Sequence, residues 1–425
     1  MKDMDPTEIC EVCIVGGGYS GMNLARLLTT NGVNCKIYSA GYGASNLWAG
    51  TIDLLNFPCE NLSIELAKFQ VSIPQHPYAK IGMDLINDSL DEFFKAFPNF
   101  LAFKDGNNYI NQPILTMLGN LKLCVGLWDT IFKDFDKFNP ESLCVLIEFE
   151  EFNNSAMHLV AKGLQSQFPG KFLVLTLSLS ELFAQIDSDL AEKIQDDKIS
   201  LNNLAAFFDS QKLSMGILAN YIKNEVGNQY PKEQFDKISY YLFPPVLGIE
   251  PKKVISSLNN HLLGKSFELA ALSTSLMSRR LFNQFEQKLE LLSTQINKGF
   301  VLTSLERHGL NWNCIFEKVK GEKVQILAKN VVIATGSLFV KGFLADEAEL
   351  ANKFHELNLE FPGGLGHDFE INSTKDCSKV FAIGSAAFLM SQCTDEDEFR
   401  DGTGLGVAIS SSYAVAQKII REHTK

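Results

Sequence analysis

Gly16, Gly18 and Gly21, in the run Cys13-Ile14-Val15-Gly16-Gly17-Gly18-Tyr19-Ser20-Gly21, have the spacing of a phosphate cradle. In such a cradle Gly16 permits a tight turn and Gly18 lets backbone N–H groups approach phosphate oxygens. Gly21 lets a helix pack close to the preceding strand, so that an anion sits at the helix N-terminus. This is chemistry for a dinucleotide or a flavin, stated before any substrate.

The flanking residues supply the elements such a cradle needs. Val12 to Val15 is a short apolar run suited to a central parallel strand, and Met22, Leu24, Ala25, Leu27 and Leu28 continue as a helix that Asn31-Gly32 stops. Val33 to Tyr38 reads as a second strand, completing one βαβ unit. At its end, where such units place a Glu or Asp against the adenosine ribose, this chain has Tyr38-Ser39. A nucleotide that depends on that carboxylate should bind less well or be held differently.

A second group of glycines lies near the other end of the chain. Val324 to Leu327, a turn at Lys329-Asn330, and Val331 to Gly336 read as a strand pair closing on a small-residue turn. Val380 to Ser385 reads as another buried strand ending at Gly384, and Asp401 to Gly406, with Gly404 at its centre, opens a helix. Each glycine taken singly is a turn. Together with the N-terminal cradle they favour a flavin lying along a sheet edge.

Length and composition bound the rest. A chain of 425 residues is too long for one simple domain, and 46% hydrophobic with 21% charged residues describes an ordinary globular protein. The formal net charge of -12 argues against general nucleic-acid or anionic-membrane binding, leaving a local basic patch for a phosphorylated substrate open. No apolar run is long enough to span a bilayer, and Met1-Lys2-Asp3-Met4-Asp5 does not read as a signal peptide. The expected location is cytoplasmic, with any membrane contact made through partners. Nine cysteines are an odd number for a disulfide framework. Cys10 and Cys13 have the Cys-x-x-Cys spacing, but no second pair or histidine completes a metal set, and Cys13 falls in the first strand, so they read as small buried side chains.

Between the two glycine-rich ends the pattern is helical. Leu90, Phe93, Phe94 and Phe97 fall at helical spacing before Pro98, Pro251 opens a helix carrying Val254, Ile255, Leu258 and Leu262, and Arg279 to Lys298 reads as a helix closed by Gly299. The expected fold is therefore α/β: a Rossmann-like FAD/NAD(P)-binding fold built from both chain ends. Residues 1–55 plus 296–425 form the flavin-binding domain, and 56–295 form an inserted, mainly helical α+β substrate or cap domain.

The run Gly41-Tyr-Gly-Ala-Ser45-Asn-Leu-Trp-Ala-Gly50-Thr51-Ile-Asp53-Leu-Leu resembles the segment after the second strand in the B-subunit family of anaerobic glycerol-3-phosphate dehydrogenase, where a Ser and a Ser-Gly-Ser-x-Asp-Leu-Leu pattern recur. His76-Pro77-Tyr78, Leu118-Gly119-Asn120, Pro244 to Gly248, Glu268-Leu269, Arg280-Leu281, Phe381 to Gly384 and Gly402 to Val407 are similar to that family in the same order, so the resemblance spans nearly the whole chain. The family also lacks the carboxylate at the end of the second strand. That matches Ser39 and makes FMN the expected cofactor, with FAD as the alternative. Two segments depart from the pattern: Leu338 to Phe343 lacks the family's glycines, and Thr274 to Leu281 replaces its usual Pro-Ser-x-x-Gly-x-Arg-Leu.

The resemblance implies oxidation of sn-glycerol 3-phosphate to dihydroxyacetone phosphate. Electrons would pass through the flavin and a membrane-associated iron–sulfur subunit to quinone, with fumarate or nitrate as terminal acceptor. It implies an FAD-containing catalytic subunit as a further partner, and attachment to the inner face of the cell membrane through a partner. Expected cofactor contacts are Gly16, Gly18, Gly21, Ser39, Ser45, Gly50, Thr51, Gly336, Gly384 and Gly404, with no metal. Arg279 or Arg280 is the candidate cation for the substrate phosphate, set against a salt-bridge role. His367 is the candidate base, set against a loop histidine with a structural hydrogen bond, and His76 reads as a loop residue. Two other readings stay open. One is a stand-alone flavin oxidoreductase of another small hydroxy acid or amine, which would normally keep an acidic residue near Ser39. The other is a non-catalytic electron-relay or assembly subunit, favoured by the two altered segments.

Overall fold

A computed structural model describes residues 8–424 except 42, 57, 60, 153–155, 196–199, 211–213, 272–274, 319–320, 337–338, 341–342, 345–364, 367, 372–378 and 391–403. The chain divides into two compact units. The first comprises Met1–Asn46, Ile52–Asn111 and Leu281–Lys425, the second Leu47–Thr51 and Gln112–Arg280.

The first unit is organised by a sheet that both chain ends build. Strand β1 (Glu8–Val15) is followed by helix α1 (Tyr19–Thr30) and strand β2 (Cys35–Ser39), as the βαβ pattern predicts. β1 pairs in parallel with β2 on one side and with Lys323–Ile333 on the other, from Glu8 opposite Ile326 to Val15 opposite Ile333. The end of that last strand pairs in parallel with Val380–Ala382, while its beginning turns back through Asn311–Lys318 and Phe300–His308 as an antiparallel meander. Four consecutive residues, Val12 to Val15, are buried, as a strand covered on both faces requires. The C-terminal helix Leu405–His423 packs along α1, where the Asn23 amide donates to Ser412 Oγ at 2.8 Å.

Three local expectations change. Lys329-Asn330 is not a turn: Lys323–Ile333 is one continuous strand, and Asn330 pairs opposite Val12 while its buried side chain accepts the Lys379 N–H at 3.2 Å. Pairing with β1 outweighs the local turn preference. The helix expected to run to Lys298 is Leu276–Leu291, and Ile296–Lys298 becomes a short strand parallel to β2, because the open edge of β2 offers it backbone partners. Gly299, at φ +85, therefore turns the chain out of that strand rather than out of the helix. Finally, 56–111 and 281–295 belong with the first unit and not with the insert. Helix Met83–Ala96 buries Ile86, Leu90 and Phe93. Phe97 packs on Phe285 at 4.6 Å and under the Arg26 guanidinium at 5.5 Å, and Glu92 closes the contact with a 2.6 Å ion pair to Arg26.

The second unit has its own fully parallel sheet, in the order Lys171–Leu177, Leu143–Phe149, Ile238–Phe243, Lys265–Glu268. Helices surround it, as expected, and the sheet explains how. Because side chains alternate along a strand, Leu143, Val145, Ile147 and Phe149 enter one core with helices Leu201–Asp209, Met215–Gln229 and Pro251–Asn259. Cys144 and Leu146 enter the other with helix Met157–Gln167 and the Phe132, Phe135 and Phe138 cluster. Among the described residues, no helix is long and apolar enough to cross a membrane.

Candidate cofactor site

The cradle residues come together at the C-terminal edge of β1. Gly16 has φ +122, and a Cβ there would lie 2.2 Å from the Ala334 carbonyl oxygen. A Cβ on Gly21 would lie 2.1 Å from the Gly16 carbonyl oxygen, so glycine here is what lets α1 start against β1. Gly18 caps α1 without a side-chain hydrogen bond, and the first turn of α1 carries no acidic residue. The Tyr19 N–H donates to Ser45 Oγ at 3.2 Å, but the N–H groups of Ser20 and Gly21 have no acceptor among the described residues. Donors left open at the positive end of a helix fit an anion, which is what a nucleotide phosphate supplies.

Ser39 ends β2 beside this turn, where a Cβ on Gly17 would come within 2.9 Å of the serine Cβ. Its hydroxyl is buried, donates to the Gly41 carbonyl at 2.6 Å and accepts the Gly41 N–H at 3.2 Å, and the Ser39 carbonyl accepts the Gly299 N–H at 2.7 Å. Tyr38 is turned into the core, stacked on Phe316 at 4.4 Å, and its hydroxyl donates to Glu8. Hydrogen bonding to Lys36 holds the Glu8 carboxyl below its ordinary range. The end of β2 thus carries a serine already closed on its own loop, with no carboxylate for a ribose diol.

Of the other expected contacts, Gly384 is brought to the first turn of α1. It has φ +63, its N–H donates to Ser411 Oγ at 2.8 Å, and a Cβ would strike Ser20 Oγ at 2.7 Å. Gly336, at φ +76, follows the strand whose end pairs with Val15, and a Cβ would meet nothing within 4 Å. Gly404 is exposed at the N-cap of the C-terminal helix and also meets nothing. The glycine that matters there is Gly406, whose Cβ would fall 2.2 Å from the Asp53 carbonyl oxygen. Gly50 and Thr51 belong to the second unit. There a Cβ on Gly50 would meet Ile131 at 2.6 Å, and Thr51 Oγ1 accepts the Lys122 ammonium at 3.1 Å. Protein contacts by themselves account for both.

Arg280 is not available to a substrate phosphate. It has no exposed side-chain surface, and all five of its donors are taken: Nε and Nη2 by the Gly248 carbonyl at 2.9 and 2.7 Å, Nη2 and Nη1 by the two Glu268 oxygens at 2.9 and 2.7 Å, and Nη1 by Met277 Sδ at 3.2 Å. Glu268 in turn accepts the Thr130 hydroxyl at 2.9 Å and the Leu247 N–H at 3.0 Å. The salt-bridge alternative therefore describes Arg280. Arg279 is half-buried, and its side chain has no hydrogen-bond or ion-pair partner among the described residues. His76 is buried with Nδ1 accepting the Tyr78 N–H at 3.1 Å, capping helix Pro77–Ile81 amid the rings of Phe69, Tyr78 and Phe388. His367 lies outside the described residues.

Cys10, Cys13 and Cys35 are buried side chains. Burial pushes the Cys10 thiol up to about 12 and Cys35 to about 11, while hydrogen bonding with Cys314, with burial adding to it, raises Cys13. Among the described residues, no group of three or more His, Cys, Asp or Glu side chains is placed to hold a metal ion.

No protein-family model matches the chain. It is 23% identical to the B-subunit of anaerobic glycerol-3-phosphate dehydrogenase from Mannheimia succiniciproducens, the match covering 97% of this chain and 99% of that one. It is 26% identical to the protein of the same name from Actinobacillus pleuropneumoniae, over 82% and 79% of the two chains. The chain is a homologue of the anaerobic glycerol-3-phosphate dehydrogenase B-subunit. Among solved structures it is similar to Thermovibrio ammonificans THI4, at 11% identity over 98% of this chain and 91% of that one, with a TM-score of 0.38. Three of the segments that are similar to the B-subunit family, Pro244 to Gly248, Glu268-Leu269 and Arg280-Leu281, meet in the one buried network around Arg280.

Proposed function

We propose that this chain is the flavoprotein subunit of a respiratory, anaerobic glycerol-3-phosphate dehydrogenase. It would oxidise sn-glycerol 3-phosphate to dihydroxyacetone phosphate and work as part of a complex with an FAD-containing catalytic subunit and an iron–sulfur subunit. The supporting observation is the first turn of α1, where glycines clear the backbone and N–H groups remain open for a phosphate, in a homologue of the B-subunit family. When bound, the flavin supplies the acceptor for two electrons taken from the substrate carbinol, which the twenty ordinary side chains cannot provide. The chain's own part is positioning. The α1 N-terminus holds the cofactor phosphate, and Ser39, closed on Gly41, offers no anion to an adenosine ribose, which favours FMN over FAD. Arg279 is the cation in reserve for the substrate phosphate.

The state of Arg280 favours a second reading. Its donors are all spent within the protein, so the chain would relay electrons from a substrate oxidised on a partner. Attachment to the inner face of the membrane through the iron–sulfur partner, with quinone as acceptor, belongs to either version. The test is to purify the chain, record its visible spectrum, release and identify the flavin, and measure glycerol 3-phosphate-dependent dye reduction with and without the partners. No flavin after reconstitution with FMN or FAD would sink both readings. Bound flavin with substrate oxidation only in the complex supports the relay.

A further inference from the structure

We infer that Asp129, in the second unit, is the base that takes the hydroxyl proton of the substrate carbinol. This rests on the dehydrogenase reading above. Oxidising a carbinol breaks two bonds to hydrogen. The C–H hydrogen leaves with its electron pair as hydride, for which the flavin is the acceptor, and the O–H hydrogen leaves as a proton, which needs a base. Arg280 has no lone pair to offer, and His76 Nδ1 is given to a helix cap. Asp129 follows strand Gly126–Trp128, whose last residue donates its N–H to the Gly50 carbonyl at 2.8 Å. One carboxylate oxygen, Oδ2, is paired with the Lys252 ammonium in the first turn of helix Pro251–Asn259. The other, Oδ1, is buried without a hydrogen-bond partner, and among the described residues of the second unit no other carboxylate oxygen is in that state. Buried polar atoms ordinarily have at least one partner. Oδ1 is thus left for a donor that the protein does not supply, and a substrate hydroxyl is such a donor. Burial raises the Asp129 carboxyl above its ordinary range, against the opposing pull of Lys252, Arg280 and its own N–H, which moves it towards the working range of a base. The other anion beside Arg280, Glu268, is closed to this task, since Arg280, Thr130 and Leu247 already occupy its oxygens. Arg279, the cation proposed for the substrate phosphate, belongs to the same unit.

The experiment compares Asp129→Asn and Asp129→Gly with wild type, first as the chain alone and then in the active complex. In the chain alone the readout is the thermal midpoint against pH. A raised pKa in the folded state means that ionising Asp129 costs stability as pH rises through that value, and asparagine does not ionise. Lys252 is half exposed, so losing its pair costs little. Asp129→Asn should therefore melt no earlier than wild type at neutral pH, with the gap closing in acid. In the complex it should lower kcat for glycerol 3-phosphate-dependent dye reduction about 100-fold or more, with flavin content held. Asp129→Gly should lose activity likewise and regain part of it with added formate, a carboxylate small enough for the vacated space, which a purely structural residue would not allow. Wild-type kcat in Asp129→Asn overturns the assignment and leaves Oδ1 to a buried water. A variant that melts below wild type at neutral pH, or a lost activity that formate does not restore, makes Asp129 structural and overturns it as well. A wild-type complex that does not oxidise glycerol 3-phosphate sinks the dehydrogenase reading itself, whatever the variants do.

Discussion

Arg280 gives the sharpest test of which polar groups hold the second unit together. Its guanidinium and the Glu268 carboxylate are both without exposed surface and meet at 2.7 Å and 2.9 Å. Arg280→Ala leaves that carboxylate only Thr130 and Leu247 as donors and strips the Gly248 carbonyl of both of its guanidinium bonds. Stranding one member of a buried pair costs about 3–5 kcal/mol. Set against a usual total of about 5–15 kcal/mol, that is a large share of the stability of a domain. Glu268→Gln strands the guanidinium in the same way and should cost a similar amount. Combining Glu268→Gln with Arg280→Ala removes the two charges together, so the double variant should be more stable than the sum of the singles predicts by about 2–3 kcal/mol. The assay is urea unfolding followed by tryptophan fluorescence. Trp48 and Trp128 lie 6.3 Å apart within the second unit and report on it, whereas Trp312 belongs to the first. A loss under about 0.5 kcal/mol for Arg280→Ala, within the range of an ordinary surface substitution, would refute the buried-pair argument. That result with a selectively raised KM for glycerol 3-phosphate would return Arg280 to the substrate.

Gly16→Ala and Gly21→Ala each drive a methyl group to within 2.2 Å of a carbonyl oxygen, and should cost about 1–3 kcal/mol in overpacking as well as the bound flavin. Gly404→Ala meets no protein atom within 4 Å and should leave the thermal midpoint unchanged; flavin content per chain and thermal midpoint check the series. Arg279→Ala, in the active complex, should lower kcat/KM for glycerol 3-phosphate about 10-fold or more through loss of a charge-assisted hydrogen bond, with the thermal midpoint unmoved. An unchanged kcat/KM would remove Arg279 from the substrate phosphate. Burial alone would raise the Glu370 carboxyl, but Lys379 at 2.7 Å and Lys418 at 2.6 Å outweigh it and hold the pKa below its ordinary value. The stabilisation is therefore present above the unfolded carboxylate pKa and is lost as pH falls through the lower folded value. Glu370→Gln should flatten that acid limb when thermal midpoints are compared from neutral to acid buffer, and a limb of unchanged steepness would contradict it.

The cradle could be read without coordinates because each of its requirements is local. A strand, a turn that needs positive φ at Gly16 and a helix start at Tyr19 are all written in residues that touch their own neighbours in the chain. The same is true of the missing carboxylate at Ser39 and of the proline that opens Pro251–Asn259. Similarity to the B-subunit family was visible for a related reason, since short runs keep their order even at low identity.

What the tertiary structure decided are the cases in which a distant partner outweighs local preference. Asn330 looks like a turn residue until Val12 pairs opposite it and the Lys379 N–H satisfies its side chain. Ile296–Lys298 looks like the tail of a helix until the edge of β2 needs a neighbour. Arg280 looks like a phosphate ligand until Glu268, Gly248 and Met277 consume every donor it has. Hydrogen-bond capacity is a property of a residue, but whether that capacity is already spent depends on what the fold brings within about 3 Å, and sequence alone does not contain that distance.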